Sequence, residues 1–336
     1  MKKVWFWIRL AISVGLIVLL IFTIDFGDLR DTLARANAGF LLLAVFWAMC
    51  DRVLMAYKWN ILLRAKSIHI PLLNVTGTYL TSTFLGVFLP ATVGGDAIRA
   101  YAVSKEGHRS GDVISSIILE RLLGTAALFI FVLASIILSI SVFGQRFFDN
   151  IWSLFWLVLI LLAALSGLIW ISLSQRLMKR WTAWIRQRNE KLVENKIARK
   201  LLDGYRSYLS YQDHRFELGV FLMLSMIENL LPILMNYSLS RAFGMDIPLL
   251  YFFILTPIVL VLVRLPISID GIGIQEGTFV YFLTLINVPR SEALLLGIAS
   301  HILAILSILP GGILYGFSGL NLRSKSKEGP AAPQQD

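Results

Sequence analysis

Charge is scarce in this chain. Only 15% of its 336 residues are Asp, Glu, Lys or Arg, against roughly 25% in an ordinary soluble domain. Hydrophobic residues make up 57%, so a soluble multidomain enzyme is excluded before any motif is read. Cysteine is nearly absent too. Cys50 stands alone, which excludes an intramolecular disulfide and a cysteine metal cage; its apolar run is the setting of a small packing side chain. The sequence also lacks an HExxH motif, a Ser-His-Asp pattern, a paired-acid motif, a voltage-sensor arginine ladder and a channel filter sequence. The expectation is therefore not an enzyme and not a channel, with no catalytic residue, metal or cofactor.

What is present is a set of long apolar runs. About 20 apolar residues span a bilayer as a helix, and runs of that kind fall at residues 4–24, 39–63, 113–142, 151–173, 216–243 and 292–317. The first follows Lys2 and Lys3 like a signal peptide, but it is long and gives way to Asp25-Phe26-Gly27-Asp28 instead of a small-residue cleavage site, so it reads as a retained helix. Two shorter apolar segments, 71–90 and 247–266, each end at a proline followed by a glycine-containing break. The fold class expected is an all-α polytopic membrane protein with six full spans and two re-entrant, Pro/Gly-broken elements. It forms one membrane domain, 1–323, with halves 1–173 and 216–320 and a polar disordered tail, 324–336.

Topology follows from the cations, because basic loops stay in the cytoplasm. Segment 174–215 carries 11 basic residues against four acidic ones. Lys2, Lys3, Arg9, Arg64, Lys66, Arg323, Lys325 and Lys327 belong on the same side, whereas 25–38, 143–150 and 244–248 are neutral or acidic. Both termini are then cytoplasmic. Element 71–90 dips in from the inside, and 247–266 with 277–288 dips in from the outside. Trp181, Trp184, Tyr205, Tyr208 and Tyr211 interleave with the cations of 174–215, as in helices lying on an anionic leaflet. Nucleic acid is the disfavoured alternative for that mixture.

The two breaks echo one another. Leu89-Pro90-Ala91-Thr92-Val93-Gly94-Gly95 and Leu265-Pro266-Ile267-Ser268-Ile269-Asp270-Gly271 keep Leu, Pro, a hydroxyl, a β-branched residue and Gly in register. Corresponding breaks in two halves point to a midplane site in an inverted-repeat transporter; chance and loop capping are the alternatives. Irregular backbone at that depth must line a protected polar cavity. In the first break, Gly94 and Gly95 precede a helix start with Asp96 and Arg99, a setting for an anion such as phosphate; a glycine turn with a surface arginine is the plainer reading. Glu120 and Arg121 lie inside a span, where charge costs roughly 2.5–3.5 kcal/mol. Adjacent helical residues do not face each other, so each needs a partner elsewhere, and Arg99 or Asp96 is the natural one. Asp51, Arg52 and Lys58 form a further group; snorkelling to the cytoplasmic end suits Lys58 better than Asp51. Ser225, Asn229, Asn236 and Ser240 make a polar stripe beside Glu228, kinked at Pro232, with helix–helix hydrogen bonding as the plain account. Arg264, Asp270 and Glu276 surround the second break, and His301 follows in the last span, either a packing histidine or a proton relay.

Taken together, Phe88-Leu89-Pro90 with Gly94-Gly95-Asp96-Ala97-Ile98-Arg99-Ala100, Leu119-Glu120-Arg121-Leu122-Leu123-Gly124, and Leu265-Pro266-Ile267-Ser268 with Gly271-Ile272-Gly273 and Glu276-Gly277 resemble the lysylphosphatidylglycerol synthase transmembrane-region family. This flippase-like domain is also found in the membrane part of MprF and in AglD-like and YbhN-like proteins. The resemblance spans about residues 5–320 and implies a lipid-handling protein of a bacterial or archaeal cytoplasmic membrane. By motif it implies substrate-binding roles for Gly94, Gly95, Asp96, Arg99, Glu120, Arg121, Gly271, Gly273 and Glu276. Asp270 and Gln275 depart from the pattern and make the second break more acidic, so an identical headgroup does not follow. These 336 residues leave no room for the soluble aminoacyl-transferase domain of full-length synthases.

The resulting expectation is a lipid translocator. Pro90, Gly94, Gly95, Asp96, Arg99, Glu120, Arg121, Arg264, Pro266, Asp270, Gly271, Gly273 and Glu276 would line the substrate site. Asp51, Arg52, Glu228, Asn229 and His301 would serve coupling or gating. The partners expected are membrane lipids with an anionic or polyprenyl-phosphate headgroup, and no nucleic acid; a second copy of the chain or a lipid-modifying enzyme stays open as a further partner. An intramembrane transferase and an ion-coupled solute transporter are the alternatives.

Overall fold

The computed structural model describes residues 34–88, 94–143, 145–172, 196–264, 268 and 271–318. These form helices α1 (Ala38–Arg64), α2 (Leu72–Val87), α3 (Gly94–Lys105), α4 (Ser110–Phe143), α5 (Gln145–Ser172), α6 (Lys196–Leu209), α7 (Arg215–Glu228), α8 (Leu230–Ala242), α9 (Leu249–Arg264), α10 (Ile274–Thr284), α11 (Arg290–Leu306) and α12 (Leu309–Ser318). A 3-10 turn, Ser210–Asp213, joins α6 to α7. Five stretches are long and apolar enough to cross a bilayer: Ala38–Arg64, Ser110–Ser139, Phe155–Ser172, Arg215–Ala242 and Arg290–Phe317. They correspond to five of the six spans expected. The sixth, residues 4–24, lies outside the described residues, as do Trp181, Trp184 and the tail.

Two of those spans are not continuous helices. The fourth breaks at Asn229, three residues before Pro232. Proline has no N–H and its ring clashes with the carbonyl four residues back, here Glu228, so the new helix starts with Pro232 in its first turn. The last span breaks at Ser307 and Ile308 and restarts with Pro310 in the first turn of α12. The two expected breaks fall between α2 and α3 and between α9 and α10; Pro90 and Pro266 themselves lie outside the described residues.

The ends that the cations assigned to one side do lie together. Tyr211 donates to the Leu62 carbonyl at the end of α1 (2.9 Å), Ser207 meets Ser115 at the start of α4 (2.8 Å), and Tyr205 donates to the Ser172 carbonyl at the end of α5 (2.6 Å). Lys66 reaches the Ser207 carbonyl and lies over the Tyr211 ring; burial there holds its ammonium below the ordinary lysine range. The tyrosines of this segment thus dock α6 and the turn after it on the helix ends. At the opposite face, Asn37 N–H donates to the Ala242 carbonyl, joining the start of α1 to the end of α8.

The halves interleave. α8 packs on α1, α9 on α4 and α12 on α2. The largest buried cluster brings Ile233 and Leu239 of α8, Phe252 and Ile258 of α9, and Phe279 and Leu283 of α10 against Leu128 and Val132 of α4. Small residues set the closest approaches, as between helices in lipid. A Cβ at Gly311 would stand 2.3 Å from the Leu80 carbonyl carbon, and Thr81 donates to the Gly311 carbonyl. Gly95 begins α3 directly against α2, where a Cβ would lie 2.8 Å from the Ser82 carbonyl oxygen.

Gly311→Ala should therefore destabilise by about 1–3 kcal/mol through overpacking. Gly316→Ala, with open space around it, should not. Thermal melting of the two purified variants checks the pair; equal melting temperatures would show that the α2–α12 contact is loose.

Candidate functional site

Trp59 on α1 and Tyr79 on α2 both point at α4 and α3, and between their rings lies the guanidinium of Arg99. Its central carbon is 4.3 Å from the Trp59 ring centroid and 4.6 Å from that of Tyr79. Arg99 is only 2% exposed. Its Nη2 stands 2.8 Å from Glu120 Oε2 and 3.1 Å from Asp96 Oδ1. Tyr79 donates to the other oxygen of Glu120 at 3.1 Å, and Trp59 Nε1 donates to Ser116 Oγ, one turn earlier on α4, at 3.0 Å. Four helices meet on one cation.

Asp96 also holds Arg121. The guanidinium donates from Nε at 2.9 Å and from Nη2 at 3.0 Å, a two-pronged contact of the kind arginine makes with a carboxylate. Glu120 and Arg121 thus find partners in Arg99 and Asp96 respectively, as their position on adjacent helical faces requires. The two arginines differ sharply in setting: the Arg99 side chain is 3% exposed and that of Arg121 62%. Arg99 is walled in on both faces, so it organises the site, and Arg121 is the cation that remains open.

The second break meets the same helix. Arg264, the last residue of α9 and exposed, donates to Thr125 Oγ1 at 3.4 Å, and Thr125 lies one turn after Arg121 on α4. Arg264 lies close enough to Arg121 and Lys58 for their charges to act on one another. Among the described residues it has no carboxylate within ion-pair distance.

Lys58 corrects an expectation. It does not snorkel; it is 4% exposed, forms an ion pair with Glu228 at the break between α7 and α8, and donates to Ser225 Oγ at 3.0 Å. Asn229 closes that break by donating to the Ser225 carbonyl. The polar stripe of this span makes one bond to another helix through an asparagine, from Asn236 Nδ2 to Thr256 Oγ1 on α9. Asp51 and Arg52 form no ion pair with the residues of the arginine cluster. Arg52 donates to Ser307 Oγ at 3.0 Å and stands 3.5 Å from Asp51.

Glu276 and His301 are likewise removed from the open cations. Glu276, in the first turn of α10, accepts from the Gly273 N–H at 2.6 Å, and its other oxygen is 3.0 Å from His301 Nδ1. Gly271 and Gly273 turn the chain into α10 with φ of 77° and 83°, values that suit glycine. Gly94 opens α3 beside Gly95. Pro90, Pro266 and Asp270 lie outside the described residues. Sequence reasoning missed Trp59, Tyr79 and the Lys58–Glu228 pair. A tryptophan and a tyrosine in apolar runs carry no signal of their own, and Lys58 and Glu228 are far apart in the chain.

Arg99→Met should strand the buried Glu120 carboxylate, while Asp96 keeps Arg121, and cost about 3–5 kcal/mol, the usual penalty for breaking a buried pair. Arg99→Met/Glu120→Gln should recover part of that loss. Melting of the single and double variants in one detergent measures the coupling; strictly additive losses would contradict it.

The match to known proteins follows the same motifs. Residues 6–312 match the family model described as lysylphosphatidylglycerol synthase TM region. A UPF0104 membrane protein of Methanothermobacter thermautotrophicus is 25% identical over 297 residues, covering 84% of this chain and 86% of the relative. Another UPF0104 membrane protein, of Pyrococcus horikoshii, is 23% identical over 331 residues, covering 93% and 84%. With several apolar spans arranged around a buried ionic cluster, the chain belongs to the lysylphosphatidylglycerol synthase transmembrane-region family of multi-pass membrane proteins.

Proposed function

We propose that the chain is a lipid translocator, moving a phospholipid or polyprenyl-phosphate-linked lipid between leaflets with its phosphate held by Arg121 and Arg264. The observation that supports this reading is the convergence of both helix breaks on one turn of α4. Arg121 is fixed by Asp96 from the first broken pair, and Arg264 reaches Thr125 from the second.

The surroundings favour a lipid over a free solute. Ile114, Ile118, Arg121 and Thr125 follow one another at helical spacing on α4, and Ile114 and Ile118 are about half exposed. A greasy stripe therefore leads to the open cation. A headgroup can reach it while the acyl chains stay in the bilayer. Charge agrees: Lys58, Arg99, Arg121 and Arg264 face Asp96, Glu120 and Glu228, which leaves one positive charge for a monoanionic phosphate. Two broken elements of corresponding sequence, moving against the spans, supply alternating access.

Charge-assisted hydrogen bonds are worth roughly 1.5–3 kcal/mol each, so losing both arginines should weaken headgroup binding by at least about a hundredfold. Native mass spectrometry with lipidomics of gently solubilised protein tests this. Wild type should retain a phosphate-bearing anionic lipid that Arg121→Gln/Arg264→Gln loses. Equal retention of bulk lipid by both would overturn the site.

A further inference from the structure

About two turns before Trp59 on α1, helices α1, α8, α9, α10 and α11 line a cavity of about 100 Å³. Its walls carry Asp51, Arg52, Asn236, Thr256, Gln275 and Ser300. The Arg52 guanidinium is directed at Ser307, Met55 and Asp51. Asn236 is 2% exposed, and its Oδ1 accepts no hydrogen bond from the protein. A buried carbonyl oxygen of that kind needs a donor. A water molecule needs only about 10–15 Å³ of such space and two to four polar partners, so the cavity has the room and the chemistry for several waters.

Gln275 and Ser300 border the cavity, and their chain neighbours are Glu276 and His301. These two form a buried acid–base pair, 6% and 8% exposed, joined at 3.0 Å. The pair stands at the first turn of the second broken helix. Gly297, one turn before His301, allows α11 to approach so closely that a Cβ there would lie 3.0 Å from the Glu276 Cα.

We infer that Glu276 and His301 form a proton-binding site, fed through the hydrated cavity, whose proton occupancy sets the position of the second broken helix and couples lipid movement to a proton gradient. The inference rests on the translocator reading for its coupling, but not for its proton site. The pair carries zero net charge when it shares one proton and +1 when it holds two. It changes charge inside the membrane at a contact that holds α10 to α11, which makes it a two-position element.

Among the described residues, the other charges on the neighbouring helices have positions of their own. On α11, Arg290 and Glu292 lie at the far end of the helix. On α9, Tyr251 donates to the Phe282 carbonyl toward the end of α10, and Arg264 faces α4. Across the cavity, α1 supplies Asp51 and Arg52, already facing each other. On α8, Arg241 is paired with Asp246. On α10 the other titratable side chain is the exposed Tyr281. Among the described residues, His301 faces Glu276 directly.

Two measurements separate the proton site from the lipid reading. In nanodiscs, with histidine isotopically labelled for NMR, the signal absent from His301→Asn should titrate between about pH 5 and 8, and Glu276→Gln should move its midpoint by about a unit or more. A signal that does not titrate, or that ignores Glu276→Gln, overturns the proton site. In proteoliposomes containing NBD-labelled phosphatidylglycerol, with the membrane potential clamped, wild type should build a leaflet asymmetry of roughly tenfold per unit of imposed pH difference, the value for one proton per lipid. His301→Asn should respond less than twofold. If wild type equilibrates the probe but ignores the gradient, the coupling is overturned and the translocator stands. If wild type leaves the probe unmoved while the histidine titrates as described, the lipid reading fails for this headgroup and the proton site stands.

Discussion

The arrangement turns on one buried guanidinium. Arg99 sits in a bundle whose surroundings are hydrocarbon and apolar side chain, where a lone charge is costly. It is kept there by two carboxylates from α3 and α4 and by two aromatic faces from α1 and α2. A cation over an aromatic face gains about 2 kcal/mol when desolvated, and here both faces are covered. No partner can leave without exposing the rest to the same penalty. The first broken pair, α2 and α3, is therefore fastened to α1 and α4 by electrostatics that hold only while the water stays out.

The division of labour among the cations follows. Arg99 spends itself on internal charges, and Asp96 is shared between Arg99 and Arg121. Half satisfied and largely exposed, Arg121 is held in position without being consumed. Arg264 arrives from the other broken element and stops one turn away. Phosphate chemistry gathers where the breaks converge, on a surface continuous with the greasy face of α4. Titratable chemistry gathers at Glu276 and His301, the chain neighbours of Gln275 and Ser300 in the cavity wall.

Much of this was legible in the sequence. Hydropathy placed the spans because an apolar run of bilayer length has few other uses, and cation counts placed their ends on common faces. The rule that neighbouring helical residues diverge was enough to send Glu120 and Arg121 to separate partners, and the short list of charges near the first break supplied Arg99 and Asp96. Other features needed three dimensions. The pairing of Lys58 with Glu228 joins helices that only the fold brings together, and a lysine near the end of a span looks the same in sequence whether it snorkels or is buried. The docking of α6 by Tyr205, Tyr208 and Tyr211 reads, in one dimension, like an interfacial aromatic belt. The break at Ser307 interrupts a run that hydropathy joins, because proline in a first helical turn leaves the apolar pattern intact, whereas Pro232 already marked the kink near Asn229.

The central claim is that lipid phosphate meets Arg121 and Arg264 and not Arg99. Solid-state NMR with phosphorus-to-nitrogen dipolar dephasing, on arginine-labelled protein in lipid bilayers, reads that contact without any transport assay. The account predicts that lipid phosphorus dephases guanidinium signals that disappear in Arg121→Gln and Arg264→Gln, while the signal assigned to Arg99 is untouched. Dephasing of Arg99, or of neither exposed arginine, would contradict it.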